Sequence, residues 1–65
     1  MAADETEHEM AIRHVAEQEA RITRQEALIE RLRKINAPLD NAQLLLDSME
    51  NLLQSMRAHV ARLPK

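Results

Sequence analysis

The sequence predicts an all-α fold, an antiparallel helical hairpin with helix 1 over about 6–35 and helix 2 over about 40–63. The 65 residues include no glycine and no aromatic residue, and they are rich in Ala, Leu, Glu, Gln and Arg. These five residue types favour helices, whereas the β-branched and aromatic residues that favour strands are scarce. The two prolines, Pro38 and Pro64, leave two uninterrupted segments that can each form one helix.

Two overlapping capping boxes mark the start of helix 1. The two candidate pairs are Asp4 with Glu7 and Thr6 with Glu9. In each pair the first side chain can accept a hydrogen bond from the backbone N–H three residues later, and the glutamate can accept one from the backbone N–H of the first residue. We expect residues 1–5 to be a frayed leader and the helix to begin near Thr6.

The apolar stripe of helix 1 is interrupted by glutamines. Val15, Ile22 and Ile29 follow one another at seven-residue spacing, and Gln18 and Gln25 occupy the positions between them. The glutamines either fix the register, as polar residues do in coiled coils, or face water because the stripe rotates. Long polar side chains are mostly exposed, which favours the second interpretation.

A short turn over 36–39 joins the helices. Without glycine, Asn36 is the residue best suited to a left-handed conformation after helix 1, and Pro38 disfavours the helical region for Ala37. A connection this short makes the two helices antiparallel neighbours.

Helix 2 is predicted to begin with three coinciding signals. Asp40 can cap it, Gln43 can complete a capping box, and Leu39 can pack on Leu44 as a hydrophobic staple.

The apolar residues of helix 2 form a stripe too wide for one partner helix. Leu45 and Leu52 lie in one row and Leu46 and Leu53 in the next, so either row can face helix 1 while the other stays uncovered. The residues expected in interfaces are Leu45, Leu46, Met49, Leu52, Leu53, Met56, Val60 and Leu63 of helix 2, with Val15, Ile22, Ile29 and Leu32 of helix 1.

The chain is expected to be one domain, residues 1–65, that self-associates. A chain of this length buries a small fraction of its surface, and without cysteine it has no disulfide to stabilise it. A two-fold pairing into a four-helix bundle would cover the wide stripe. We therefore expect a homodimer, with a hairpin that packs on a different protein as the alternative.

Neither a metal site, a cofactor site nor a catalytic site is expected. Glu5-x-x-His8 has the spacing of di-metal carboxylate bundles, and His14 and His59 fall towards one end of the hairpin. Such sites also need inward-facing glutamates from the other helices, and helix 2 offers only Glu50. The sequence has no constellation of nucleophile and base, no phosphate loop and no aromatic residues to line a pocket, and Ser48 and Ser55 lie on a helix dominated by packing, which predicts a protein that is not an enzyme.

Nucleic acid and membrane are both weak candidates for partners. The net charge is −2, and the arginines of helix 1 alternate with Glu26 and Glu30. The longest run of large apolar residues, 44–46, is far too short for a membrane span. The acidic amino terminus does not have the pattern of a signal peptide, so we expect a cytoplasmic protein.

The sequence resembles a group of short helical-hairpin proteins of rhizobia and related alphaproteobacteria. The shared pattern comprises His14–Glu17, Arg21–Gln25, Ile29, Leu32, Ala42, Leu45, Leu46, Glu50, Leu53, Arg62 and Leu63. The match covers about residues 12–63, although that group has a Gly-His-Asp/Asn type of turn where this chain has 36–38. The resemblance implies a small bacterial helical protein and no particular activity.

The function expected from the sequence is a non-enzymatic helical interaction module, an adaptor or regulator that acts through protein–protein contacts. The alternative is an electrostatic nucleic-acid-binding bundle of the Rop type, which would use the arginines near the turn, Arg21, Arg24, Arg31 and Arg33, with Lys34.

Overall fold

The computed structural model describes residues 5–64 and shows two helices packed against each other. Helix α1 spans Glu7–Lys34 and helix α2 spans Asp40–Arg62. No strand occurs in the described part of the chain, which confirms the predicted all-α hairpin. The Cα atoms extend over 47 × 24 × 12 Å, so the molecule is a single layer of two helices side by side.

Helix α1 begins with the predicted capping box. The Thr6 hydroxyl accepts from the Glu9 backbone N–H at 3.0 Å, and the Glu9 carboxylate accepts from the Thr6 backbone N–H at 2.9 Å. The competing cap at Asp4 lies outside the described residues. Of the expected leader, Glu5 is described, and its carboxylate accepts two hydrogen bonds of 3.0 Å from the Arg13 guanidinium.

Helix α1 ends in a Schellman motif around Asn36, whose φ of 58° is the predicted left-handed conformation. The backbone N–H of Ala37 donates to the carbonyl of Leu32 at 2.9 Å, and that of Asn36 donates to Arg33 at 3.2 Å. These two bonds satisfy carbonyls that the helix end leaves without a partner. They also turn the chain towards α2.

The predicted cap of α2 is wrong. Leu39 is the N-cap residue and no side chain caps the helix, so Asp40 is already its first residue. Gln43 donates to Asp47 at 3.2 Å instead of binding back. Leu44 is exposed, while Leu39 packs on the core, so the staple does not form. At its other end α2 stops before Pro64, as predicted, with Leu63 in the extended conformation.

A small interhelical core holds the hairpin together. Its buried apolar side chains are Ile22 and Ile29 of α1 and Leu46 and Leu53 of α2. Val15, Leu39, Ala42 and Met49 pack around them and are partly buried. No side chain among the described residues is fully enclosed, as expected for a layer of only two helices.

Candidate functional site

Two glutamines lie in the interhelical core and bind the backbone of α2. The side-chain Nε2 of Gln18 donates to the carbonyl of Met49 at 3.0 Å, and that of Gln25 donates to the carbonyl of Ala42 at 2.9 Å. Their side chains are 3% and 9% exposed. The expectation that they face water is therefore wrong, because a partner carbonyl across the interface makes burial of the amide favourable.

The two contacts are one heptad apart on both helices. Gln18 and Gln25 differ by seven residues, and so do their acceptors Met49 and Ala42, in the opposite chain direction. Each carbonyl has a second lone pair beyond the one used within the helix. The pair therefore sets the antiparallel register and the rotation of α2 against α1.

That rotation decides which leucine row of α2 is buried. Leu46 and Leu53 are 8% and 9% exposed, whereas their sequence neighbours Leu45 and Leu52 are 53% and 52% exposed. Of the other predicted interface residues, Ile22 and Ile29 are buried and Val15, Leu32, Met49, Met56, Val60 and Leu63 are half-buried.

We call Leu45 and Leu52, with the half-buried Met49 and Met56 beside them, the open face of the hairpin. These residues recur at three- and four-residue spacing and so lie along one side of α2. The remaining α2 positions along this side are Asn41, Ser48, Ser55 and His59. The open face therefore carries no aspartate, glutamate, lysine or arginine from α2.

An ion pair joins the two helices at the opposite edge of the hairpin. The Arg57 guanidinium of α2 donates to the Glu19 carboxylate of α1. Next to it, Ile12, Val15, Arg57 and Val60 line a shallow apolar cleft of about 120 Å³. This ion pair crosses from one helix to the other, and both partners are solvent-exposed.

A larger open cleft lies at the end of the hairpin remote from the turn. It measures about 350 Å³ and contains His14 and His59, as the sequence suggested. Its lining residues are Glu7, Met10, Ala11, His14, Ser55, Met56 and His59. Within residues 5–64, no three His, Cys, Asp or Glu side chains come together as a metal-binding group.

The resolved electrostatic shifts are confined to the start of α1. The hydrogen bond and the charge of Arg13 lower the pKa of the Glu5 carboxyl. The pKa of Glu9 is lowered because its carboxylate accepts from the Thr6 backbone. Both shifts accompany local helix-start contacts, and they do not point to a catalytic group.

Neither α1 nor α2 is long and apolar enough to cross a membrane. The expected cytoplasmic location stays a prediction.

Three comparisons with known proteins complete the description of the site. No protein-family model, no curated protein and no solved structure was found to match this chain. The resemblance to the rhizobial hairpin proteins stays a prediction, and the functional argument therefore depends on the geometry of the hairpin.

Proposed function

We propose that this chain is a non-enzymatic helical association module whose partner is a second copy of itself. The observation that carries the proposal is the open face, where two leucines one heptad apart are each about half exposed. Contiguous apolar patches on a protein surface commonly mark sites of association. Two open faces packed together across a two-fold axis would form a four-helix bundle.

The surface area of the hairpin supports a dimer. The chain exposes 5145 Å², whereas a compact folded monomer of 7.5 kDa exposes about 4,250 Å². The difference of roughly 900 Å² is close to the ~800 Å² that each partner buries in a standard stable interface. One additional copy is therefore enough to give the hairpin the burial expected of a compact protein.

The charge distribution also suits self-association. A two-fold axis brings identical surfaces together, so a charge close to the axis would meet its own like charge, and a charge elsewhere on the contact face would lose water. The charged residues of α2 that are close to the open face in sequence are Asp47, Glu50 and Arg57. Because successive residues of a helix are rotated by about 100°, these three side chains lie on other sides of α2. On the α2 side, the open face can therefore meet its own copy without burying a charged side chain.

A variant pair tests the dimer. Wild-type protein should sediment as a dimer at micromolar concentration, and Leu45→Lys/Leu52→Lys should sediment as a monomer because the two ammonium groups would be buried unpaired in an apolar interface. Gln54→Lys is the matched control, since Gln54 is exposed and lies on the side of α2 opposite Leu45, and it should remain dimeric. A folded wild-type monomer, or a dimer that survives the double substitution, would refute the proposal.

A second candidate, electrostatic binding of nucleic acid, is favoured by the arginines of α1. Arg21, Arg24 and Arg31 are exposed, and none of them forms an ion pair with the described residues. Binding of a random RNA or DNA pool with a steep salt dependence, lost in Arg21→Gln/Arg24→Gln, would support this candidate. Retention of binding in that variant would contradict it.

A further inference from the structure

The 350 Å³ cleft gathers two kinds of metal-binding side chain from both helices. Met10 and His14 are four residues apart on α1, and Met56 and His59 are three residues apart on α2. Such spacings place two side chains on the same side of a helix. All four line the one cleft, so each helix presents one thioether and one imidazole to it. The Glu7 carboxylate lines the cleft as well, but among the described residues it does not come together with the two imidazoles as a metal-binding group.

The donor set selects among metal ions. Carboxylates and waters suit magnesium and calcium, and zinc sites use thiolates, imidazoles and carboxylates. Thioether sulfur is a soft ligand that favours Cu(I), and imidazole also binds copper. The four side chains supply two nitrogen and two sulfur donors, all of which are neutral when they bind a metal. Such a set matches a soft ion of single charge better than a hard dication.

The side chains have the freedom to converge on an ion. Met10 and His14 are exposed, as is His59, and Met56 is half-buried, so none of them is fixed by a core. A methionine side chain has three rotatable bonds and adapts its shape readily. The helix backbones meanwhile are held in register by the two glutamine contacts, which keeps the two pairs of donors facing one cleft.

We propose that Met10, His14, Met56 and His59 form a binding site for Cu(I). The ligands would be the two Sδ atoms and one nitrogen from each imidazole, giving a four-coordinate site within a single chain. The site needs no ligand from a second copy, although Met56 and His59 also lie along the open face and would be next to the second copy in the dimer proposed above.

Silver(I) is a suitable probe because it is a soft, singly charged ion that stays in one oxidation state in air. Calorimetric titration with silver nitrate in chloride-free buffer should show one ion bound per chain, and the melting temperature should rise with the metal concentration. Anaerobic competition between the protein and a chromophoric Cu(I) chelator should give the same stoichiometry for Cu(I). Zinc(II) should bind at least ~10-fold more weakly than silver(I).

Substitutions that keep the shape of the cleft test the ligands. Met10→Leu/Met56→Leu removes both sulfur atoms at similar volume and should lower silver(I) affinity ~10-fold or more. His14→Gln should do the same. Met49→Leu and His8→Gln are the matched controls, because neither residue lines the cleft, and their affinities should equal that of the wild type.

Three results would overturn the assignment. They are unchanged silver(I) affinity in Met10→Leu/Met56→Leu, an equal loss of affinity in the control variants, and zinc(II) binding that is tighter than silver(I) binding. Circular dichroism of each variant confirms that the hairpin is retained, and His14→Gln provides a second ligand test if the methionine variant loses helicity.

Discussion

Two leucine rows run side by side along α2, and only one of them is buried. Leu46 and Leu53 lie in the interhelical core, while Leu45 and Leu52, each one residue earlier, are about half exposed. The residue type and the seven-residue spacing are the same in both rows. Apolar periodicity therefore shows that α2 has two apolar rows, but the packing of α1 determines which row is buried.

The deciding contacts are polar. Amides from α1 bind the carbonyls of Ala42 and Met49, and both acceptor residues pack against the core that contains Leu46 and Leu53. A hydrogen bond of this kind contributes about 1 kcal/mol, less than the burial of one leucine. Because either leucine row would provide similar apolar burial, the small polar contribution can select between them.

The largest expected effect on stability comes from truncating one leucine of each row to alanine. Leu53→Ala should destabilise the hairpin by about 3 kcal/mol, because it removes buried methyl groups and leaves a cavity. Loss of helicity by circular dichroism should then occur at every protein concentration. In the proposed dimer Leu52 lies between copies, so Leu52→Ala should keep the helicity at high concentration and lose it on dilution. Identical behaviour of the two variants would contradict the assignment of the rows.

An intermediate effect on stability is expected when the two glutamines that bind the backbone of α2 are replaced by leucine. Gln18→Leu/Gln25→Leu exchanges two hydrogen bonds for apolar burial, with a net stabilisation of about 1 kcal/mol for each site. The rotation of α2 should then no longer be unique, and the amide NMR spectrum should show more than one set of signals. Gln54→Leu, at an exposed position of α2, is the control and should keep one set. A single unchanged set in the double variant would contradict the role of the glutamines.

The smallest expected effect lies at the start of α1, away from both leucine rows. The pKa of Glu9 is lower in the folded chain than its ordinary value of 4.5. Its contribution to stability is therefore present above that value and lost as the pH falls through the lower, folded value. Between pH 6 and pH 3 the wild type should lose more helicity than Glu9→Gln, which keeps the capping box without a titrating group. Equal acid sensitivity would argue against a Glu9 contribution.

Most of the fold could be predicted from the sequence, because it depends on local signals. The Thr6 cap, the left-handed Asn36 and the stop before Pro64 each involve only a few neighbouring residues. The Asp40 cap failed although its signals were also local, since the backbone of Leu39 is already helical. With the helix begun one residue early, the Asp40 side chain no longer occupies the capping position.

The candidate site could be predicted only in part. The helical period fixes the angles between side chains on α2, so the two leucine rows were visible in the sequence. It does not fix the rotation of α2 against α1, which accompanies the contacts of Gln18 and Gln25 with the backbone of α2. At these two positions the general exposure of long polar side chains predicts the wrong outcome. The cleft lined by His14 and Met56 depends on the same rotation, so its sulfur donors were not predicted.

The glutamine contacts also bear on how the hairpin could come apart. The carbonyls of Met49 and Ala42 lie inside α2 and already serve its own backbone ladder, and the amides that reach them belong to side chains. Separating the two rods would exchange these bonds for bonds to water without using any donor or acceptor of the backbone ladder itself. The ladder is nevertheless weak without its neighbour, because most helical stability comes from packing, so opening of the hairpin at the Asn36 corner should be accompanied by loss of helicity.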